Sequence, residues 1–218
     1  MAAIPRAFAI AAAFTALLIA AAVVGQWAFS LSFEPDDLGF FTVNFFSFFT
    51  ILSNVAAAAA LASGAWFSGR GAGAPEWFWG VFGAVTTYMA TTGVVYNALL
   101  RGISLDQEAT LGWSNEVLHL IGPILVVALW CVAPGRPALP WRHLALAAAF
   151  PLVWGAYTLL RGALVGWYPY PFMNPAQPGG YAAVALYMVA IAACIIGADA
   201  AIVRVSRGRR TTIARARG

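Results

Sequence analysis

Residues 48–66 read FFTILSNVAAAAALASGAW. The stretch has no charge and enough apolar side chains for lipid, yet it opens with Thr50, Ser53 and Asn54. Three hydrogen-bonding groups in a lipid-like segment demand partners, because unpaired polar groups are costly in hydrocarbon. Whether this stretch is a membrane span, and what its polar groups meet, decides the reading of the whole chain.

The rest of the composition answers the first half. Of 218 residues, 62% are hydrophobic and 9% charged, and the mean hydropathy is +0.80. Soluble domains carry about a quarter charged residues. So few charges do not cover a water-exposed surface, which excludes an ordinary soluble domain. Apolar runs of ~17–25 residues favour helices over the short alternating segments of a barrel. The expected fold is therefore all-α, a polytopic six-transmembrane-helix bundle. The net charge of +4 is local: Arg204, Arg207, Arg209, Arg210, Arg215 and Arg217 crowd the C-terminus. Such a juxtamembrane basic tail is explained by topology and anionic lipid rather than by nucleic acid. The chain lacks Lys and is rich in Ala, Gly and Arg, which suggests a GC-rich bacterial genome. Its expected location is then the bacterial inner (plasma) membrane. Cys131 and Cys194 sit inside apolar runs and read as small packing residues, not a disulfide framework.

Six runs, read as uncharged, cover approximately 7–30, 39–66, 78–100, 114–133, 144–160 and 181–203. The first resembles a signal peptide after Arg6, but its length and its Trp27 and Phe29 flank predict a retained span. Pro75 and Pro140 precede the third and fifth runs, as Pro does at helix starts. Arg6, Arg70, Arg136, Arg142 and the basic tail fall on one side of a six-span arrangement. The other side holds Glu34, Asp36, Asp37, Asp106, Glu108 and Glu116, with Arg101 and Arg161. The positive-inside rule then predicts both termini cytoplasmic. One domain is expected over 1–203, with a basic cytoplasmic tail over 204–218. Trp167, Tyr168 and Tyr170 in the outer 161–180 connection suit the headgroup belt.

Inside the runs, Asn44, Ser47, Thr50 and Asn54 are spaced by three, three and four, one continuous stripe on a helix. Tyr88, Thr91, Thr92, Tyr96 and Asn97 occupy the outer half of the third run, and Asn115, Glu116 and His119 open the fourth. At about 1.5 Å per residue, Thr50 is expected roughly 15 Å, and His119 roughly 5–9 Å, from the outer end. A shared polar cavity opening outward is the geometric consequence. The bland alternative is that hydroxyls such as Ser47, Ser53, Thr86, Thr87, Thr91 and Thr92 bond their own i−4 carbonyls or a neighbouring helix. His119 differs, because an ionisable residue within a span is expensive and is read as functional. His143, at the inner start of the fifth run, reads as interfacial.

One His and two buried Cys supply no zinc site. Glu116 and His119 have the E-x-x-H spacing of di-iron bundles, but only one copy exists, so neither a metal nor another cofactor is expected. His119 and His143 fall at unmatched depths for a b-type haem. There is no G-x-S-x-G elbow and no P-loop. What remains is a hydroxyl nucleophile with a histidine base, acting on an ester carbonyl. Asn115 and Glu116 are candidates to orient the imidazole, Asn54, Tyr96 or Asn97 to donate to an oxyanion, and Ser53 is a competing nucleophile.

Thr50 within FFTILSN, His119 within NEVLHLIGP, and YPYPFMN at residues 168–174 follow one another in an order that resembles a known family. It is the androgen-induced-protein and FAR-type family of six-span membrane proteins, which includes the androgen-dependent TFPI-regulating protein and bacterial relatives of unknown function. The resemblance runs along about the whole chain. It implies threonine hydrolase activity, since the animal members cleave fatty acid esters of hydroxy fatty acids, with Thr50 as nucleophile and His119 as base. Asn115 fits the family's local pattern, and Pro123 fits it approximately. Ser53–Asn54 departs from the animal enzymes, so the fold transfers more safely than the substrate.

The sequence thus points to an intramembrane hydrolase of lipid or fatty acyl esters. Its expected partners are the bilayer and such an ester, not nucleic acid. Two other readings compete: a non-enzymatic binder of lipid or a small hydrophobe, and a proton-coupled transporter using His119 and Glu116.

Overall fold

The computed structural model describes residues 5–70, 73–103 and 109–215, those after Gly208 as helical backbone only. Asp106, Glu108 and Arg217, which entered the charge pattern above, lie outside the described residues. The chain is all-α: helix makes up 79% of it, with no strand among the described residues. Six helices are long and apolar enough to cross a membrane: Arg6–Leu31, Phe49–Gly69, Glu76–Leu100, Gly112–Val132, His143–Val165 and Gly180–Gly208. These are the first to sixth spans below. Leu17, Val153 and Leu186 are each at least 70% exposed, a burden in water and the ordinary state of a lipid-facing side chain.

The first span starts behind Pro5 and buries Phe8, Ala12, Ala16, Ile19, Ala22 and Val23 along one face. That face packs most extensively against the second span, where Ala57, Ala60 and Gly64 are buried. Small residues on both sides let the helix backbones approach, as membrane helix pairs require. Ser114 Oγ donates to the Ala22 carbonyl (2.7 Å), and the buried Gln26 amide holds the entry to the fourth span. Gln26 Nε2 donates to the Ala109 carbonyl (3.0 Å), and Leu111 N–H donates to Gln26 Oε1 (2.9 Å).

The second run departs from expectation. It is not one helix over 39–66. A short helix, Leu38–Phe45, is capped by the Asp37 side chain, which accepts from Phe40 N–H at 2.8 Å. The chain breaks at 46–48, and Phe48, in extended conformation, precedes the second span. The break is held by the fifth span. Trp154 Nε1 donates to the Ser47 carbonyl at 2.9 Å, and Ser47 Oγ lies 3.0 Å from Tyr157 Oη. The four-residue stripe is therefore split between two helices, and Thr50 is the second residue of its helix rather than a point roughly 15 Å along it.

Two spans carry π-helical turns, Tyr96–Leu100 at the end of the third and Val117–Ile121 within the fourth, and the two turns face each other. The fifth span runs beyond the expected 160 to Val165 and closes on Gly166 at φ 75, a left-handed position that glycine suits. The following loop folds back into the bundle, burying Trp167, Tyr170 and Met173, so these rings do not form a headgroup belt as a group. Gly162 makes this possible: a Cβ there would fall 2.1 Å from the Tyr168 ring.

The sixth run is not uncharged. It carries Asp199, fully buried against His143, with Nδ1–Oδ1 at 2.9 Å. His143 Nε2 donates to the Gly80 carbonyl (2.8 Å), and Thr87 Oγ1 donates to Asp199 Oδ1 (2.8 Å). His143, the first residue of the fifth span, is thus a buried tie between the third, fifth and sixth spans. The sixth helix continues unbroken to Arg215, across the expected 203/204 boundary, and Arg207 Nε donates to the Leu139 carbonyl. Both cysteines are free, and Cys131 is exposed instead of packed.

Candidate functional site

The helix break decides the surroundings of Thr50. Most span hydroxyls do bond their i−4 carbonyls, as for Ser47, Ser53, Thr86 and Thr87. At Thr50 the i−4 residue precedes the break, and the hydroxyl meets Tyr170 Oη instead, at 3.4 Å. Thr50 N–H also donates to Tyr170 Oη (3.3 Å). The helix has no side-chain cap at Phe48, so its buried start presents amide donors and the positive end of the peptide dipoles. Burial raises the Tyr170 phenol above its usual range, so it stays protonated at neutral pH and keeps a proton to donate.

His119 sits in the π-turn of the fourth span. Its Nδ1 lies 3.0 Å from the Asn115 carbonyl, which only accepts, so Nδ1 carries the proton. Nε2 is then the basic nitrogen, and it has no hydrogen-bond partner among the described residues. The ring stacks on Tyr96, with centroids 3.7 Å apart and planes 20° apart.

NEVLHLIGP makes physical sense here. Pro123 has no N–H for the carbonyls four and five residues back, those of His119 and Leu118. Neighbouring amides supply the donors: Asn97 Nδ2 to His119 O (3.1 Å) and Asn54 Nδ2 to Leu118 O (3.1 Å). Gly122 admits the wide turn, because a Cβ there would fall 2.7 Å from the Val117 carbonyl. π-turns recur at functional sites in this way.

Several expected roles change. Asn54 is fully buried and spends its amide donors on Thr50 O (2.8 Å) and Leu118 O, so it ties the start of the second span to the π-turn that carries His119 and has no N–H left for an oxyanion. Asn97 is likewise committed, to Gly93 and His119 carbonyls and, through Oδ1, to Arg101. Asn115 supplies its carbonyl, not its side chain, to His119; the side chain donates to Tyr96 Oη at 2.7 Å. Glu116 turns to Arg101 in a two-pronged pair (2.9 and 3.1 Å) and makes no hydrogen bond to the imidazole. Ser53 is fully buried between Phe49 O, Thr50 O and Thr92 Oγ1, without access to a cavity.

Thr50 and His119 line one small cavity of about 30 Å³, together with Gln26, Asn115 and Tyr170. No direct hydrogen bond joins them. Thr50 and Tyr170 also line a second, apolar groove of about 280 Å³ between the third, fifth and sixth spans. A third cavity of about 330 Å³, edged by Asp36, Asp37 and Asn44, shares Phe45 and Phe48 with the small one. Tyr170 and Gln26 escaped the sequence reading as site residues. The YPYPFMN motif signalled Tyr170 without saying where it goes, and Gln26 had no local signal beyond being polar within the first run.

The fold and site define a polytopic helical membrane protein with a small pocket bearing a hydroxyl and an imidazole, beside an apolar groove that shares Thr50 and Tyr170 with it. No protein-family model, curated protein or solved structure matches the chain. The geometry of its own residues therefore carries the functional argument.

Proposed function

We propose that this protein is an intramembrane hydrolase of lipid or fatty acyl esters, with Thr50 as nucleophile and His119 as general base. The observation that carries the reading is the meeting of Thr50 and the free face of His119 in one cavity, at an uncapped helix start beside Tyr170. Thr50 Oγ1 attacks the ester carbon while its proton passes to His119 Nε2 through a water in the cavity. The carbonyl electrons move to oxygen, where the Tyr170 hydroxyl donates to the charge and the positive end of the second span's peptide dipoles favours it. His119 returns the proton to the departing alkoxide, leaving acyl-Thr50 and an alcohol. Water, deprotonated by His119, then attacks the acyl carbon, and the fatty acid leaves as Thr50 takes the proton back. The resemblance noted in the sequence supports the same pair. The arginine distribution supports both termini on the cytoplasmic side, and the composition supports a bacterial inner membrane.

A fluorophosphonate probe tests the reading. Wild-type protein is expected to label, and Thr50→Ala and His119→Ala each to abolish labelling. Equal labelling of Thr50→Ala would remove Thr50 as the nucleophile. The transporter reading loses a titrating carboxylate, because Glu116 is paired with Arg101. The binder reading shares the groove and uses His119 to anchor a polar group of the ligand; it expects copurified lipid to stay intact in the wild type.

A further inference from the structure

The two cavities that meet at Thr50 differ in size and chemistry, and the difference bears on the substrate. The larger groove is walled by apolar side chains of the fifth and sixth spans, among them Ala148, Leu152, Ala192 and Ile196. Besides Thr50, its lining includes the polar side chains of Thr91, Thr92, Tyr96 and Tyr170. Leu152 is 69% and Ile196 53% exposed, so the far side of the groove lies open on the face the helices turn to lipid. The smaller cavity, on the His119 side, measures about 30 Å³. By the usual requirement of ~10–15 Å³ per water, it holds roughly two waters.

Resting on the hydrolase reading, we infer that the groove binds one long fatty acyl chain, entering sideways from the bilayer between the fifth and sixth spans, and that the His119 cavity admits only water and a small alcohol. The substrate is then an ester of a long-chain fatty acid with a small alcohol. The assignment follows from position. Thr50 and Tyr170 border both spaces, so the ester carbon belongs between them. His119 borders only the small cavity, where the leaving oxygen needs a proton and the hydrolytic water needs a base. An alcohol held in the groove would leave on the side away from His119. In the balanced reaction one ester C–O bond breaks, water supplies OH to the acyl carbon and H to the alkoxide, and no redox partner is needed.

The test uses the full chain in detergent micelles and methyl esters from acetate to palmitate, whose methanol leaving group fits the small cavity. Ala192 is exposed and Ala148 half-buried, so Ala192→Phe and Ala148→Phe narrow the groove with little cost to the fold. Leu17→Phe, on an exposed face of the first span away from the groove, serves as control. The Phe variants are expected to lower the palmitate-to-acetate rate ratio at least tenfold. A palmitate-to-acetate ratio unchanged in both variants would overturn the groove assignment. Methyl palmitate is expected to turn over at least tenfold faster than the palmitate ester of a long secondary alcohol, and equal rates would overturn the alcohol half. Radiolabelled palmitate retention separates this inference from the hydrolase reading. If wild type cleaves no ester yet retains palmitate, and the Phe variants do not, the reading fails and the groove stands. If all variants retain it alike, the groove holds only surrounding lipid and the inference falls.

Discussion

At the residue scale, the reactivity assigned to Thr50 comes from what its hydroxyl lacks. Its i−4 partner lies before a helix break, so the oxygen is not tied back as Ser47 and Ser53 are. Tyr170 is the companion that matters most. Tyr170→Phe keeps the ring packed against Phe48 and Phe172 but removes the proton offered to the oxyanion. It is expected to lower kcat by roughly 10²–10³ with KM little changed, the usual cost of one oxyanion donor. A kcat equal to wild type would dismiss Tyr170 from the chemistry. His119→Ala removes the base and should lower kcat by about 10²–10⁴, read by ester hydrolysis at neutral pH. Asn54→Ala leaves the Leu118 carbonyl without its donor in a buried site, which should cost about 1–3 kcal/mol in denaturant unfolding.

At the element scale, the site depends on two departures from regular helix. The π-turn at Val117–Ile121 is maintained by Gly122, which makes room, and Pro123, which withholds an N–H. Gly122→Ala drives a Cβ against the Val117 carbonyl and should destabilise by about 1–3 kcal/mol, as overpacking does. Because the turn carries His119, fluorophosphonate labelling per folded molecule should fall as well. Lost stability with full labelling would show that the turn does not position the imidazole. The break at 46–48 has no Pro or Gly to announce it, and the run Phe45, Phe46, Phe48 and Phe49 in and beside it reads as one continuous apolar stretch. It exists because Trp154 and Tyr157 satisfy the Ser47 carbonyl and hydroxyl from another span. A local pattern contains no trace of such a partner.

At the scale of the whole molecule, the polar groups form two separate sets. Thr50, His119, Tyr170 and Asn115 line the small cavity, with Asn54 bonded to the Thr50 and Leu118 carbonyls. His143, Asp199 and Thr87 make a distinct buried tie between three spans. Asp199→Ala strands His143 away from water, and breaking such a pair costs about 3–5 kcal/mol. The expected result is a much lower unfolding midpoint, with labelling of the surviving folded protein unchanged. Loss of labelling in proportion to nothing but Asp199 would mean the two sets are coupled.

Membrane character, six spans and Thr50 and His119 as candidate residues could be read from FFTILSN, NEVLHLIGP and the apolar runs. Hydropathy and charge are sums over neighbouring residues, so a linear chain displays them directly. The place of Thr50 at a helix start, the π-turn beneath His119, the spent amides of Asn54 and Asn97, and the burial of Tyr170 were not readable in that way. Each depends on a partner far along the chain: Tyr170 lies 120 residues from Thr50, and Trp154 lies 107 from Ser47. In a bilayer every buried polar group must find its mate within the protein, and packing alone brings such distant mates together.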